Sequence, residues 1–131
     1  MSESTHIERR REGDIEYLVL NRPEVRNAFN EDLIAEVTSW AQHAAADSGL
    51  RAVVISGAGP AFCAGADLAW MAKMASYTRE DNLRDARAAA AMFEAVNTLP
   101  MPVIARIHGA ALGGGAGLAA VADVAVADES A

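Results

Sequence analysis

A glycine-rich corner between two apolar segments constrains this chain more than any other feature of its sequence. Apolar residues 103–107 are followed by the glycine-rich residues 109–117 and then by apolar residues 118–122. We interpret this pattern as a buried strand that turns sharply into a helix. Glycine permits positive φ and leaves main-chain amides open, and the first-turn N–H groups of a helix lie at the positive end of its dipole. The corner therefore predicts a place to hold an anion, or an oxygen that becomes one.

The glycines do not match the two common phosphate-binding motifs. A P-loop needs a lysine and a serine or threonine after its glycines, but residues 115–117 are Gly, Ala and Gly, and the chain's only lysine is Lys73. A dinucleotide-binding motif counted from Gly113 places Leu118 where its last glycine belongs. Close packing of a helix on a strand is the remaining structural explanation of the glycines.

A second strand-loop-helix corner lies earlier in the chain. Apolar residues 52–56 run into small residues 57–66, and Asp67 fits the N-cap of a following helix. The apolar residues of that helix are Leu68, Trp70, Met71 and Met74. Two main-chain N–H groups that converge on one oxygen from two such corners would form an oxyanion hole.

Three motifs, in this order, resemble those of the enoyl-CoA hydratase/isomerase (crotonase) superfamily. They are LNRPEVRNAF at residues 20–29, FCAGADL at 62–68 and HGAALGGG at 108–115. Within that family the nearest likeness is to bacterial hydratases of branched glutaconyl-type CoA thioesters, such as methylglutaconyl-CoA and isohexenylglutaconyl-CoA. The resemblance implies the ββα spiral of the crotonase fold. It also implies that residues 1–131 are the N-terminal part of a single domain, without its C-terminal helices.

The resemblance assigns roles to individual residues. The main-chain amides of Ala66 and Gly114 match the two oxyanion-hole donors, and no metal is implied. The residues that match the family's contacts to CoA and the acyl group are Arg26 and Ala28 at the nucleotide end, Ala64, Asp67 and Leu68 around adenine and pantetheine, and Trp70, Met71 and Met74 along the acyl pocket.

One position departs from the family's pattern. Many family hydratases carry a catalytic glutamate where this chain has Gly117, and the other acid/base glutamate is expected beyond Ala131. The implied function of the parent protein is hydration of an enoyl-CoA, with the oxyanion hole stabilising an enolate. The alternatives are enoyl-CoA isomerisation, thioester hydrolysis in the same fold, and a non-catalytic fragment that binds CoA. CoA is part of the substrate, so we expect no separate cofactor.

Charge and cysteine content restrict the partners. The formal net charge is −7, which argues against nucleic acid as a partner, so the phosphates of an acyl-CoA need local cations, for which Arg22 and Arg26 are candidates. A single cysteine excludes an intramolecular disulfide, and we expect Cys63 to be a small buried residue. The three histidines are scattered, without carboxylates at metal-ligand spacing, so we expect no metal site.

No apolar run is long enough to span a bilayer, and the N-terminus lacks the pattern of a secretion signal. We therefore expect a cytoplasmic protein without membrane contact. The resemblance implies a homo-oligomeric parent, a trimer or a dimer of trimers. Without the C-terminal helices we expect apolar surface near residues 109–126 to be uncovered.

The pattern of elements predicts an α/β domain with parallel crossovers, in the order β-β-α-β-α-α-β-α-β. Strands are predicted at 7–11, 16–20, 52–56, 103–107 and 122–126, and Asn30 and Thr78 are predicted to cap two longer helices. The apolar face of the helix after Thr78 is predicted to hold Leu83, Ala86, Ala90, Phe93 and Asn97, flanked by Ala89 and Val96.

Overall fold

The computed structural model describes residues 6–131, in which a five-stranded sheet packs against helices in one core. The strands are Ile7–Glu12 (β1), Ile15–Leu20 (β2), Ala52–Gly57 (β3), Val103–Ile107 (β4) and Val124–Ala127 (β5). The helices are Glu31–Ala46 (α1), Leu68–Met74 (α2), Arg79–Asn97 (α3) and Gly114–Val121 (α4), and a short 3-10 helix spans Pro23–Val25.

The sheet has the order β1-β2-β3-β4-β5, with β1 antiparallel to β2 and all other neighbours parallel. A tight turn at Gly13, with φ +61°, joins the antiparallel pair. The α/β prediction with parallel crossovers is thus confirmed. The predicted start of β5 is wrong by two residues, since the strand begins at Val124, and α4 begins inside the glycine-rich segment, at Gly114. The glycines themselves form the first turn of α4, which apolar periodicity alone could not show.

One face of the sheet forms the core. Leu18, Ile55 and Ala105 lie in register on β2, β3 and β4, and each is almost fully buried. Helix α1 begins as predicted, because the Asn30 side chain accepts a hydrogen bond from the N–H of Leu33. This cap places the apolar face of α1 against the sheet.

The predicted apolar face of α3 is wrong in part, since Phe93, Ala89 and Val96 do pack in or against the core but its other members do not. Met92 and Val96 are the residues of α3 that are fully buried, whereas Ala86, Ala90 and Asn97 are exposed and Leu83 is 38% exposed. The helix is rich in alanine, which packs tolerably on any face, so its sequence defines the direction of packing poorly. The large side chains Met92 and Val96 decide the orientation by joining the core.

Apolar side chains remain exposed near the C-terminal end of the sheet, as expected. Leu112, Val124 and Val126 are each more than half exposed. Within residues 6–131, no helix combines the length and hydropathy needed to cross a bilayer.

We expect Met92→Ala to lower the free energy of unfolding by about 2–5 kcal/mol, because it removes a fully buried side chain and leaves a cavity. Leu83→Ala on the same helix is the matched control, and its effect should stay within about 0.5 kcal/mol. Urea denaturation of both variants measures the difference. Equal losses would contradict the packing of α3 described above.

Candidate functional site

Two loops at the carboxyl ends of β3 and β4 are hydrogen-bonded to each other through their main chains. We call residues 58–67 the first corner and residues 108–113 the second corner. The N–H of Phe62 donates to His108 O (2.8 Å), the N–H of Cys63 to Ala110 O (3.1 Å), and the N–H of Leu112 to Cys63 O (3.0 Å). The corners therefore form one unit, although at least 46 positions separate their bonded partners in the sequence.

Glycines allow this approach. A Cβ on Gly115 would overlap the carbonyl oxygen of Cys63, and a Cβ on Gly109 would overlap that of Pro60. At Gly65 (φ +97°) a Cβ would lie 2.9 Å from the carbonyl oxygen of Leu112 and 3.7 Å from Gly113 Cα. The two corners are thus also in close contact at Gly65 and Gly113, immediately before Ala66 and immediately before α4.

The amide of Ala66 follows Gly65, and the amide of Gly114 follows Gly113. Phe29 donates to Gly65 O (2.7 Å) and accepts from the N–H of Asp67 (2.8 Å), so the intervening N–H of Ala66 is not used in this bridge. Gly114 is the first residue of α4, where an N–H has no partner inside the helix. Within residues 6–131, neither N–H donates a hydrogen bond.

A cavity of about 490 Å³ opens beside Ala66, and we call it the site cavity. Its lining residues are Glu24, Val25, Arg26, Ala28, Ala64, Ala66, Asp67, Leu68 and Ala69. The guanidinium of Arg26 is exposed, and it forms no ion pair within the described part of the chain. The cavity thus combines small residues, main-chain groups and a free cation.

Comparison with known proteins identifies the family. The family model described as "Enoyl-CoA hydratase/isomerase" matches residues 10–131. The chain belongs to the enoyl-CoA hydratase/isomerase family. A Thermus thermophilus protein that carries the name of an enoyl-CoA hydratase is 39% identical over 119 residues, which are 91% of this chain and 47% of that protein.

Two further relatives support the assignment. An enoyl-CoA isomerase/hydratase of Mycosarcoma maydis is 38% identical over 122 residues, covering 87% of this chain and 43% of the relative. The crystal structure of an enoyl-CoA hydratase from Shewanella pealeana superposes with a TM-score of 0.96 at 33% identity, over 98% of this chain and 49% of that one. The crotonase fold is therefore shown, and the chain spans a little under half the length of these relatives.

The structure divides the residues that the family resemblance selects. Six of them line the site cavity, namely Arg26, Ala28, Ala64, Ala66, Asp67 and Leu68. Trp70 lines a different cavity of about 290 Å³ between α1 and α3. Met71 and Met74 line neither of these two cavities, and Met71 is 48% exposed. The acyl-pocket role of these three residues stays a prediction.

Arg22 is not available as a phosphate ligand, so the expectation for this residue is wrong. Its side chain is 10% exposed, and its guanidinium donates to the carbonyl oxygen of Ala28 and to Asp67 Oδ2 (3.1 Å). No local sequence pattern indicates this pairing, because 45 residues separate Arg22 from Asp67.

Asp67 caps α2, as predicted. Its Oδ1 accepts the N–H groups of Ala69 (2.7 Å) and Trp70 (3.2 Å). Burial by itself raises the pKa of the Asp67 carboxyl, but hydrogen bonds from Trp70, Arg22 and Ala69 outweigh burial, so the net pKa lies below its ordinary value. The carboxylate therefore stays ionised and cannot serve as a proton donor near neutral pH.

Cys63 and His108, whose side chains could in principle react or bind a ligand, both have structural roles. Cys63 is fully buried, as expected, and burial raises the pKa of its thiol, so the nucleophilic thiolate is disfavoured. The Nε2 atom of His108 lies 2.6 Å from the carbonyl oxygen of Gly59, which joins the second corner to the first.

Asn27 is the residue that sequence reasoning missed. It is fully buried with φ +58°, and its Nδ2 lies 2.9 Å from the carbonyl oxygens of Ala58 and Ala61, while its Oδ1 accepts the N–H of Arg22 (2.8 Å). One amide thus holds the first corner to the segment before α1. The usable signal was the preference of asparagine for left-handed backbone after a Pro turn.

Phe93 occupies the space beside Gly117. A Cβ on Gly117 would lie 3.0 Å from Cε1 of Phe93, whose ring packs edge-on against Phe29. A larger side chain at position 117 would have to displace this ring. The packing of Phe93 therefore leaves no room for a glutamate side chain at position 117.

We expect Gly115→Ala to destabilise the protein by about 1–3 kcal/mol, because the new Cβ would overlap Cys63 O and separate the two corners. Helix propensity alone predicts the opposite sign, a gain of about 1 kcal/mol. Urea denaturation distinguishes the two signs. Gly49→Ala is the control, since its Cβ would meet only the ends of the Arg11 and Asp47 side chains, and it should change little.

The low pKa of Asp67 predicts that the effect of Asp67→Asn on the unfolding free energy depends on pH. The wild-type carboxylate stabilises the folded state above its unfolded pKa of about 4, and this contribution is lost as the pH falls through the lower folded pKa. We expect the wild-type protein to exceed the variant in unfolding free energy at pH 7, by an amount that shrinks below about pH 4. Urea unfolding at several pH values measures it, and a constant difference down to pH 3 would contradict the ion-pair role.

Proposed function

We propose that this chain binds an enoyl-CoA thioester at the site cavity and supplies the oxyanion hole for its hydration. The observation that carries the proposal is the junction of the two corners at Gly65 and Gly113. The amide that follows each of these glycines, at Ala66 and at Gly114, donates no hydrogen bond within the described residues. The family membership supports the choice of a CoA thioester as the ligand.

Hydration adds water across the C2=C3 bond that is conjugated with the thioester. As a base takes one proton from water, the water oxygen bonds to C3, and the C2=C3 electron pair moves so that negative charge collects on the thioester oxygen. A proton then bonds to C2, and the product is a 3-hydroxyacyl-CoA. The charge on the thioester oxygen is greatest between these two proton transfers, so donors at that oxygen lower the barrier.

The amides of Ala66 and Gly114 suit this role for two reasons. Main-chain N–H groups do not titrate near neutral pH, and they are held by the fold, so they need little reorganisation as the charge develops. One such donor is worth about 3 kcal/mol in the transition state. The N–H of Gly114 also lies at the start of α4, where the helix dipole favours negative charge.

Arg26 supports binding of the CoA nucleotide. Its exposed guanidinium is at the wall of the site cavity, and its carbonyl oxygen accepts the N–H of Ala64 (3.0 Å), which couples it to the first corner. The chain carries a net charge of −7, so a local cation offsets the repulsion of an anionic ligand.

The other expectations for the parent protein are also part of this proposal. It acts on acyl-CoA in the cytoplasm as a homo-oligomer, needs no cofactor besides the CoA of its substrate, and takes its proton-transferring base from outside the residues assigned here.

Isomerisation of an enoyl-CoA is a second candidate, favoured by Gly117 and by the Phe93 ring against it. Moving a double bond requires one group that transfers a proton between two carbons, whereas the two-carboxylate hydration scheme requires two groups. The same oxyanion hole serves both reactions. Assays with a 2-enoyl-CoA and a 3-enoyl-CoA separate them, since hydration consumes the first and isomerisation the second.

We expect Gly114→Pro to remove the part of the carbonyl polarisation of a bound enoyl-CoA that Gly114 supplies, while the part from Ala66 remains. Proline removes the N–H at the first helical position, a place that proline favours in helices generally. Its Cβ would lie 2.9 Å from the Phe29 ring, so the control must carry a Cβ as well. A hydrogen bond lowers the stretching frequency of a carbonyl, so infrared spectra of an enoyl-CoA labelled with ¹³C at the thioester carbonyl report the donor. Where turnover is measured, the loss should be about 10²–10³ in kcat.

Gly114→Ala is the matched control for this variant. It brings a Cβ to the same place, about 2.9 Å from the Phe29 ring, but it keeps the N–H. A carbonyl shift that is equal in the proline and alanine variants would rule out Gly114 as a donor. Absence of enoyl-CoA binding by the wild-type protein in calorimetry would rule out the proposed function as a whole.

A further inference from the structure

A buried ion pair adjoins Ala66 in the chain, between Arg22 and the next residue, Asp67. Arg22 Nη2 is 3.1 Å from Asp67 Oδ2, and each side chain is 10% exposed. The Nη1 of Arg22 donates to the carbonyl oxygen of Ala28. The Arg22 guanidinium thus joins Asp67, which follows Ala66, to Ala28, which precedes Phe29.

The same two segments are joined by main-chain bonds around Ala66. Phe29 donates to Gly65 O and accepts the N–H of Asp67, so the residues on both sides of Ala66 are fixed to Phe29. The two Arg22 contacts lie immediately outside this bridge. They restrict how far the first corner can move or rotate relative to the segment before α1.

Stability alone does not explain this arrangement. A buried ion pair is often no more stabilising than well-packed apolar side chains, because both charges lose their hydration. The Nε of Arg22 is also buried and has no hydrogen-bond partner within residues 6–131, which adds to the cost. The planar fork of a guanidinium, with two donors of fixed relative direction, defines a position more strictly than a lysine would.

We infer that Arg22 is a positioning residue, which holds the N–H of Ala66 in the direction of the thioester oxygen through its contacts with Ala28 and Asp67. The inference rests on the proposed function, and it adds a residue that does not itself touch the substrate. Since the orientation of a preset donor determines how well it binds a developing charge, a small displacement of Ala66 weakens polarisation before it weakens binding of the CoA end.

The test is the variant Arg22→Lys, in which one ammonium group replaces the fork. The readouts are the infrared shift of ¹³C-labelled enoyl-CoA and the calorimetric affinity for free CoA, which has no thioester carbonyl. We expect the variant to lose the part of the shift that Ala66 supplies and to keep its affinity for CoA and its circular dichroism spectrum. Arg9→Lys is the control, because Arg9 also pairs with a buried carboxylate, that of Glu16, but on the sheet edge; it should keep the full shift.

Asp67→Asn tests the other end of the contact and is the second variant should Arg22→Lys fail to fold. Asparagine retains the cap of α2 but weakens the bond to Arg22, so we expect a partial loss of the shift. The double variant should lose no more than Arg22→Lys alone, because both changes act on one contact.

Each outcome bears on a different statement. A folded Arg22→Lys protein with the wild-type shift overturns the positioning role and leaves the proposed function intact. A parallel fall in CoA affinity and in the shift also overturns it, since it indicates a general structural role. A wild-type protein that binds enoyl-CoA without any shift overturns the proposed function, and the role of Arg22 with it.

Discussion

The contact of main chain on main chain between the two corners is the constraint on which the rest of the site depends. Residues 58–67 lie so close to the second corner and to the first turn of α4 that a Cβ on Gly109 or Gly115 would overlap a carbonyl oxygen of the first corner. Side chains at these positions would separate the corners, and the amides after Gly65 and Gly113 would separate with them. The missing side chains of these glycines therefore allow the two corners to meet and the site to form.

Two polar side chains from the segment before α1 bind the first corner and hold it in position. Asn27 binds carbonyl oxygens of the first corner, and Arg22 binds Asp67 at its end. Both side chains are buried, and Asn27 adopts a left-handed backbone that a larger apolar residue would resist. The segment that matches the family's first motif is thus a brace for the second motif, besides forming part of the wall of the site cavity at Arg26 and Ala28.

Much of the fold could be predicted because local signals agree with the tertiary structure. Asn30, Asp67 and Thr78 cap helices as expected, and the strands occur in the predicted order. The face of α3 could be predicted only in part, since its alanines carry little directional preference. The role of Arg22 could not be predicted, because a basic residue next to a proline gives no sign of a carboxylate 45 positions away.

By itself, the sequence determined where the chain turns, which residues cap its helices and that two corners carry open amides, because glycine, proline and capping residues act within a few positions of the backbone. Only the tertiary structure decided that these corners join, that Arg26 remains exposed at the cavity while Arg22 is buried, and that Phe93 lies against Gly117. Those outcomes depend on contacts between segments distant in the chain. Such contacts are set by the packing of the whole core, which no local pattern records.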